Sequence, residues 1–309
     1  MGKLCNVVVL YNLDTVTREQ VIESLNDSRL ILIKNKHTVP KKELVEFYRS
    51  LGDCVTFGTQ YIHKEYLDEY CDGYRELVPM RNKVISGYGP PGLFAGKNDT
   101  GIVGWHNESM NRDTHDDVVC FAVERLADTG GETSIMDQTT MYDRLIKKYP
   151  EFDEMQVDWT NRYYWETPEN DDHYNPWTEW DDDAIQGEGG WNFEHMTDID
   201  DVPLINKELK YKPLVTTNTI TGKKGFMFAH DAIFRLFPDD QYLLNILREE
   251  CENPEYRYKH VWEQGDIAIN DIQHSLHKRH PYTGDRLHYR TSIYFFENPN
   301  DPRKKHLHK

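Results

Sequence analysis

Short strand-like runs fill the chain after about residue 117, and they constrain the fold more than any other feature. The runs are VVCFAVERL (118–126), KPLVTTNTI (212–220), GFMFAH (225–230), GDIAIND (265–271) and YRTSIYFF (289–296). Their β-branched and aromatic residues favour strands, and the Gly, Asp, Asn and Pro residues between them favour turns. Because few helical patterns separate the runs, the sequence predicts a mainly β (α+β) fold with a jelly-roll or barrel core and helices outside it.

The first 55 residues have a different pattern. Residues 6–12 and 30–34 are apolar enough for strands, and the segment 17–26 between them has helical spacing. A second helix is predicted over 39–53, where Pro40 suits the first turn and Gly52 suits the end. The chain therefore begins with a β-α-β unit, followed by a helix that packs on a sheet.

Composition limits the partners. The 36 Lys and Arg against 53 Asp and Glu give a formal charge of −17, which would repel nucleic acid. The five cysteines are scattered and never form a CxxC pair, so neither a disulfide framework nor a thiolate zinc site is expected. The N-terminus lacks a signal-peptide pattern, and no apolar run is long enough for a membrane span. We expect a soluble cytoplasmic protein with a small-molecule substrate and no nucleic-acid or membrane partner, and a homo-oligomer is left open.

One segment interrupts the strand pattern. Residues 163–206 contain thirteen Asp or Glu, no Lys or Arg, and four of the seven Trp (Trp165, Trp177, Trp180 and Trp191). So acidic a segment is not core, and its aromatic residues argue against simple disorder. The segment GYGPPG (87–92) matches a dinucleotide-binding pattern, but its prolines and the lack of a following helix favour a plain loop. We expect residues 1–309 to form one domain with an insertion at about 163–206.

Histidine-x-acid triplets are the first candidates for a functional site. They occur at His63–Glu65, His106–Glu108 and His115–Asp117. Side chains two apart on a strand point to one face, so an imidazole and a carboxylate can share a metal ion, and a second histidine completes a 2-His-1-carboxylate set. A chain with 14 His and 53 acidic residues contains such triplets by chance, so the spacing alone leaves all three open.

Three segments, in order, resemble the Fe(II)/2-oxoglutarate-dependent oxygenases of the taurine dioxygenase (TauD/TfdA) and clavaminate synthase-like family. The first is WHNE (105–108) with ERLADTGGETSIMDQTTMYDRL (124–145), similar to the family's Trp-His-x-acid and Leu-Pro-x-x-Gly-Gly-Asp-Thr motifs. The second, YKPLVTTNTITGKKGFMFAHDAIFRL (211–236), is similar to its Pro-Leu-Val strand and Thr-Gly-Lys hairpin. The third is the most specific, because EYRYKHVWEQGDIAINDIQHSLHKRHPYTGDRLHYRTSIYFFE (255–297) resembles Trp-x-x-Gly-Asp, Asp-x-x-x-x-x-His-x-Arg and Arg-x-x-x-Arg.

The resemblance implies a metal site. It assigns His106, Glu108 and His277 as catalytic ligands of Fe(II). His115 lies too close to the Gly-Gly motif for the first role, and His274 is a competing ligand three residues before His277.

The resemblance also implies a site for 2-oxoglutarate. Arg286 and Thr133 are expected to bind its distal carboxylate, for which the planar fork of an arginine is suited. Arg290, expected on the same strand face as Arg286, is similar to the family's second arginine, which faces the substrate or the keto acid. An ordinary buried ion pair is the alternative for Arg290.

The fold implied by the resemblance is a double-stranded β-helix (jelly roll, cupin-like) core with flanking helices. The implied cofactor is Fe(II), the co-substrates are 2-oxoglutarate and O2, and the reaction hydroxylates an unactivated C–H bond while releasing succinate and CO2. Glu108 favours hydroxylation or desaturation over halogenation, because related halogenases hold a halide in its place. The alternatives are a metal-dependent cupin enzyme that does not use 2-oxoglutarate and a non-catalytic jelly-roll binding protein.

The substrate is the least determined part. The taurine dioxygenase branch usually has Asp where this chain has Glu108, whereas Glu is familiar in clavaminate synthase-like enzymes that oxidise amino acids and their derivatives. The insertion 163–206 falls where the family often has a lid, and its carboxylates and Trp side chains would suit a cationic substrate. A merely solvated insertion is the simpler interpretation, and an amino acid or a cationic derivative is the expected substrate.

Overall fold

A computed structural model of the protein describes residues 5–55, 64–81, 103–107, 116–158, 211–228, 235–251 and 253–296. The strands, in chain order, are β1 Val7–Tyr11, β2 Leu30–Lys34, β3 Asp53–Cys54, β4 Val78–Arg81, β5 Val103–His106, β6 Val118–Arg125, β7 Thr129–Gly130, β8 Thr133–Asp137, β9 Gln156–Asp158, β10 Tyr211–Pro213, β11 Val215–Thr217, β12 Lys224–Phe226, β13 Leu236–Phe237, β14 Arg257–His260, β15 Ile267–Asp271, β16 Ser275–Arg279, β17 Tyr282–Thr283 and β18 Leu287–Tyr294. The α-helices are α1 Arg18–Asp27, α2 Lys41–Leu51, α3 Lys64–Cys71, α4 Gln138–Leu145 and α5 Gln241–Cys251. Short 3-10 helices cover Leu13–Thr15, Pro150–Glu154 and Pro254–Tyr256.

Two sheets form the core. The larger has the strand order β1-β2-β15-β6-β18-β3, with β4 also paired to β18, and the smaller has the order β14-β8-β16-β5. Three minor sheets pair β10 and β13 with β9, β11 with β12, and β17 with β7. Almost every contact between neighbouring strands of the two main sheets is antiparallel, as a jelly roll requires, and β1 with β2 is the parallel exception among the described pairs.

Strand β6 shows how the sheets are covered. Its residues Val119, Phe121 and Val123 point inward and pack with Ile135 of the smaller sheet. The alternate residues point outward and pack with α1 and α2, because side chains in a strand alternate between faces. On the outer face of the smaller sheet, α4 and α5 complete a third cluster. The layers therefore run helices, sheet, sheet, helices, and the predicted jelly-roll core with flanking helices is confirmed.

The predicted β-α-β opening is also confirmed. Strand β1 pairs in parallel with β2, and α1 lies between them in the chain. A capping box starts α1, since the backbone N–H of Gln20 donates to the Thr17 hydroxyl at 3.2 Å and the N–H of Thr17 donates to the Gln20 side chain at 2.9 Å. Two backbone N–H groups at the start of the helix, which have no partner within the helix, are thereby satisfied.

Helix α2 lies where its periodicity predicts. Its apolar face is buried in the outer cluster of the larger sheet (Leu44, Val45, Phe47, Tyr48 and Leu51). Gly52 ends the helix, and a Cβ atom there would lie 2.1 Å from the carbonyl oxygen of Tyr294. Glycine is therefore required by the close approach of β18 and not by an unusual φ angle.

The predicted strand over 212–220 is wrong in detail. Residues 211–217 form two short strands in different sheets, separated by the buried Leu214. Pro213 ends the first strand, and it has no N–H to donate to a ladder. The N–H of the next residue, Leu214, donates to Met155 O at 2.9 Å. This hydrogen bond turns the chain from one sheet toward the other. The predicted Thr-Gly-Lys hairpin is confirmed between β11 and β12, with Gly222 at φ +69°.

Other predictions fall on residues that the structure does not describe. The insertion 163–206 and the segment 87–92 lie outside the described residues. Among the described helices, none has the length and apolar character needed to span a membrane.

Candidate active site

Two histidines face each other on neighbouring strands. His106 is the last residue of β5 and His277 lies in β16, and the two are directly paired in the antiparallel ladder. Directly paired residues project from the same face, and the two imidazole centroids are 4.3 Å apart. Phe121 of the larger sheet contacts the His277 ring edge-on, with centroids 5.5 Å apart. Both rings therefore lie at the space between the two sheets.

This arrangement suits a metal ion. Two adjacent imidazoles supply nitrogen ligands of the kind that iron and other first-row metals bind, so the donor set present fits the implied Fe(II). The third predicted ligand, Glu108, lies outside the described residues, as do His63 and His115. For that reason no group of three potential ligands is complete within the described part of the chain.

His274, the competing ligand, lies in a different environment. Its Nε2 atom is 2.9 Å from the Thr216 hydroxyl, and its Nδ1 atom is 3.5 Å from the Thr139 hydroxyl. A Cβ atom at Gly225 would lie 2.5 Å from that Nδ1 atom, so the β11-β12 hairpin packs directly against the ring. Burial lowers the pKa of His274 to about 4. The structure thus brings His277, rather than His274, beside His106.

A buried turn after β15 leads the chain to His277. Arg29 and Asp271 form an ion pair there, with both side chains almost fully buried. The Asn218 amide donates to Asp271 Oδ2 at 2.9 Å, and the N–H of Gln273 donates to Asp271 Oδ1 at 2.9 Å. Because breaking a buried ion pair costs about 3–5 kcal/mol, this network fixes the turn from which β16 begins. The six-residue spacing from Asp271 to His277 therefore has a structural cause.

Arg286 lies in a buried pocket just before β18. The prediction that it lies on the strand is wrong by one residue, and the register of β18 shifts between Leu287 and His288. Its Nη2 atom is 2.8 Å from Nδ1 of His288, and its Nε atom is 3.2 Å from Nε2 of the same ring. Among the described residues, no carboxylate forms an ion pair with Arg286, and the residue is 5% exposed.

Within the described residues, Arg286 has a second arginine as a neighbour and no carboxylate in an ion pair with it. Burial, and then the neighbouring Arg279, lower the pKa of Arg286 to about 9, so the guanidinium stays charged at pH 7. Burial, and then Arg286 itself, hold the pKa of His288 well below its usual range, so that ring is neutral. A buried cation without a balancing anion is costly unless a ligand supplies the anion. The pocket is therefore suited to a carboxylate.

Thr133, the other residue predicted for the keto acid, begins β8 close to this pocket. Its hydroxyl accepts a hydrogen bond from Trp262 Nε1 at 3.0 Å. Trp262 in turn contacts His288 edge-on, with ring centroids 4.7 Å apart. Through these contacts Thr133 and Arg286 belong to one buried cluster.

The Gly-Gly pair before Thr133 explains how the two segments meet. Gly130 and Gly131 have φ angles of +70° and +77°, which side chains rarely adopt. A Cβ atom at Gly130 would lie 2.2 Å from the carbonyl oxygen of Pro281, and one at Gly131 would lie 3.5 Å from Arg286 Cδ. The motif therefore lets the chain before β8 pack against the chain before β18.

Arg290 lies in β18, paired with Phe121 of β6. Directly paired residues share a face, so Arg290 is on the inner face of the larger sheet with Phe121, the residue that contacts His277. The structure therefore places Arg290 on the sheet face from which Phe121 contacts His277, and it connects Arg286 to Thr133 through His288 and Trp262.

Sequence reasoning did not single out Trp262 and His288. Trp262 stands in the quoted Trp-x-x-Gly-Asp motif, and its contact with Thr133 is a signal only when the fold is known. His288 lies midway between Arg286 and Arg290, so the two-residue period of a strand could have placed it on their face.

Comparison with known proteins agrees with this fold. The family model described as "Taurine catabolism dioxygenase TauD, TfdA family" matches residues 5–292. Pentalenolactone F synthase from Streptomyces arenae is 25% identical over 304 residues, covering 94% of this chain and 90% of that protein.

Solved structures share the fold. A taurine dioxygenase from Burkholderia xenovorans has a TM-score of 0.61 and 16% identity, covering 94% of this chain and 89% of that one. AAD-2 in complex with Mn(II) and N-oxalylglycine has a TM-score of 0.60 and 15% identity, covering 96% of each chain. With the family model matched over nearly its whole length, the chain belongs to the TauD/TfdA family of dioxygenases, which use Fe(II), 2-oxoglutarate and O2.

Proposed function

We propose that this oxygenase hydroxylates an unactivated C–H bond of a small molecule, either an amino acid or a cationic derivative, and releases succinate and CO2 from 2-oxoglutarate. His106, Glu108 and His277 hold the iron, and Arg286 with Thr133 binds the distal carboxylate of 2-oxoglutarate. The observation that carries the proposal is the buried Arg286, whose charge no described carboxylate balances, in the same interior as two facing histidines.

The keto-acid assignment rests on the donors around Arg286. His288 occupies the edge of the guanidinium that carries Nε and Nη2, which leaves the Nη1–Nη2 end for a two-point contact with a carboxylate. The Thr133 hydroxyl accepts from Trp262, so its own proton is available to the same carboxylate. A diacid such as 2-oxoglutarate would supply the missing negative charge.

The metal assignment rests on the histidine pair. Iron(II), when bound, would supply the redox chemistry that couples decarboxylation of the keto acid to hydroxylation. His106 and His277 each offer one imidazole nitrogen, and Glu108 adds a carboxylate two residues after His106. Phe121 packs on His277 and joins the apolar cluster between the sheets, which keeps bulk water from that side of the ring.

The substrate assignment rests on charge. Arg290 faces the interior from β18 and would pair with the carboxylate of an amino acid. Glu in place of Asp at position 108 and the acidic insertion 163–206 favour an amino acid or a cationic derivative. We propose a single oxygenase domain in which this insertion covers the site.

Succinate release tests the proposal. Purified protein with Fe(II), 2-oxoglutarate and O2 would be given free amino acids and quaternary ammonium compounds, with their neutral isosteres as matched controls. We expect a charged compound to raise succinate release at least tenfold over its isostere and to gain the mass of one oxygen atom. A product lighter than its substrate by two hydrogen atoms would show that the reaction is a desaturation rather than a hydroxylation. Stimulation by the neutral isosteres alone would contradict the proposed substrate class.

A further inference from the structure

His288 is placed to control the direction of the Arg286 side chain. The ring is fully buried, and both of its nitrogens face the guanidinium, at 2.8 and 3.2 Å. A neutral imidazole accepts at one nitrogen and carries a proton on the other, so one of these two nitrogens accepts a hydrogen bond from Arg286. Arg286 has no other hydrogen bond among the described residues, so His288 supplies the directional contact that holds its guanidinium.

Trp262 likewise controls the direction of the Thr133 hydroxyl. The indole N–H can only donate, so the Thr133 oxygen accepts from it and the hydroxyl proton points elsewhere. The indole ring itself contacts two histidines, with its centroid 4.7 Å from that of His260 and 4.7 Å from that of His288. One buried residue therefore contacts Thr133 directly and Arg286 through His288.

A second layer anchors this pair. His260 Nε2 is 3.0 Å from Asp266 Oδ2, and Lys34 donates to the same oxygen at 2.8 Å. Burial opposes the charge of Asp266, but the hydrogen bonds from His260 and Lys34 outweigh it and lower the pKa of that carboxyl. His260 is thereby held against Trp262.

We propose that His288 and Trp262 are positioning residues for 2-oxoglutarate, with His288 aiming the Arg286 guanidinium and Trp262 aiming the Thr133 hydroxyl at the distal carboxylate. The inference rests on the proposed function, because it assigns a role at the same keto-acid site. It goes beyond that function in naming two residues that need not touch the co-substrate to set its affinity.

This positioning role predicts that the effect of a substitution at His288 depends on whether the keto acid has a distal carboxylate. Arg286 rests on a neutral acceptor, so its whole charge remains for the ligand, whereas an acidic residue at position 288 would neutralise it. Removing the acceptor should therefore weaken the binding of keto acids that carry a distal carboxylate. A keto acid of equal length without that carboxylate should be unaffected.

The test uses Mn(II) in place of Fe(II), so that the binding of a keto acid can be measured without turnover. Calorimetric titration with 2-oxoglutarate and with 2-oxopentanoate, its analogue lacking the distal carboxylate, would compare wild type with His288→Leu, His288→Gln and Trp262→Phe. Gln keeps an acceptor at position 288, and Phe keeps the ring at 262 but removes the N–H. We expect 2-oxoglutarate to bind at least tenfold more weakly to His288→Leu and several-fold more weakly to Trp262→Phe, with His288→Gln within about threefold of wild type.

The other outcomes distinguish failure of this inference from failure of the proposed function. Equal loss of both keto acids in His288→Leu and in His288→Gln would show a general packing role and overturn the inference, as would unchanged 2-oxoglutarate affinity in His288→Leu. Failure of wild-type protein to bind 2-oxoglutarate would instead overturn the proposed function. Thermal unfolding of each variant identifies any that fails to fold, and Trp262→Phe then carries the comparison alone.

Discussion

His277 of β16 and His106 of β5 are directly paired in one ladder, with their ring centroids 4.3 Å apart, although they are 171 positions apart in the chain. A β-ladder is rigid and its register fixes which side chains meet, so the two imidazoles are brought together before any metal binds. Such preorganisation is what a metal site needs, because ligands that are already in place lose little freedom on binding.

Removing either histidine should weaken metal binding. We expect His106→Ala and His277→Ala to bind Mn(II) or Fe(II) at least a hundredfold more weakly than wild type, because each leaves a single imidazole at the site. Competition with a chromogenic chelator measures the change. The exposed His37→Ala is the matched control and should bind metal as wild type does. Wild-type affinity in His277→Ala, with loss in His274→Ala, would move the ligand to His274.

Two buried asparagines should respond oppositely to the same substitution. The side-chain amide of Asn270 is fully buried, and neither its oxygen nor its nitrogen has a hydrogen-bond partner within the described structure. Asn218, equally buried, donates to Asp271 and accepts from the N–H groups of Ile220 and Thr221. Since an unpaired buried amide costs about 1–3 kcal/mol, we expect Asn270→Leu to stabilise the fold by about 1 kcal/mol and Asn218→Leu to destabilise it.

Urea unfolding of the two variants beside wild type measures this difference. Destabilisation of Asn270→Leu to the extent of Asn218→Leu would mean that the amide of Asn270 is satisfied in solution, for instance by a buried water molecule.

The buried His274 and His288 should each make a contribution to stability that is lost below pH 6.5. Burial lowers the pKa of His274 to about 4 and holds that of His288 well below its usual range. Between pH 6.5 and about 4 the unfolded chain therefore binds protons that the folded chain does not, so stability decreases as the pH falls through this window. Each such histidine contributes up to about 1.4 kcal/mol per pH unit.

His274→Gln tests the sign of this effect. The slope of unfolding free energy against pH between 6.5 and 5 should be shallower in the variant than in wild type. His37→Gln, at an exposed position, should leave the slope unchanged. An identical slope in His274→Gln and wild type would show that His274 is protonated in the folded state.

The Gly-Gly motif allows a paired glycine test. Gly130 has φ +70° and its Cβ position is blocked by the Pro281 carbonyl, whereas Gly222 has φ +69° with nothing within 4 Å of its Cβ position. Gly222→Ala should cost about 1–2 kcal/mol from the backbone alone. Gly130→Ala should cost more than this and should also weaken 2-oxoglutarate binding, since the backbone must move beside Arg286. Equal losses of stability in the two variants would mean that the Pro281 carbonyl moves away from the new Cβ atom at little energetic cost.

The sequence predicted the regular elements well where local periodicity decides. The spacing of apolar residues located α2 and the opening β-α-β unit to within two residues. The strand over 212–220 was wrong because a buried leucine between two strands and a chain turn after Pro213 depend on contacts with Met155, which no local pattern reports.

The residues of the candidate site could likewise be predicted only in part. The resemblance singled out the residues that carry motifs, among them His106, His277 and Arg286. What it could not provide was the partner of Arg286, because the contact with His288 depends on how the chain before β18 packs, and the contact between Trp262 and Thr133 joins residues 129 positions apart. Glu108 lies outside the described residues, and its role stays a prediction.

The most direct test of the central claim, an iron and keto-acid site built from His106, His277 and Arg286, is an anaerobic titration. Fe(II) and then 2-oxoglutarate would be added to wild type, His277→Ala and Arg286→Gln, and the weak visible charge-transfer band of the chelated keto acid would be recorded. We predict the band in wild type, its loss in His277→Ala, and a shift to at least tenfold higher 2-oxoglutarate concentration in Arg286→Gln. Absence of the band in iron-loaded wild type, or equal titrations in all three proteins, would contradict the account.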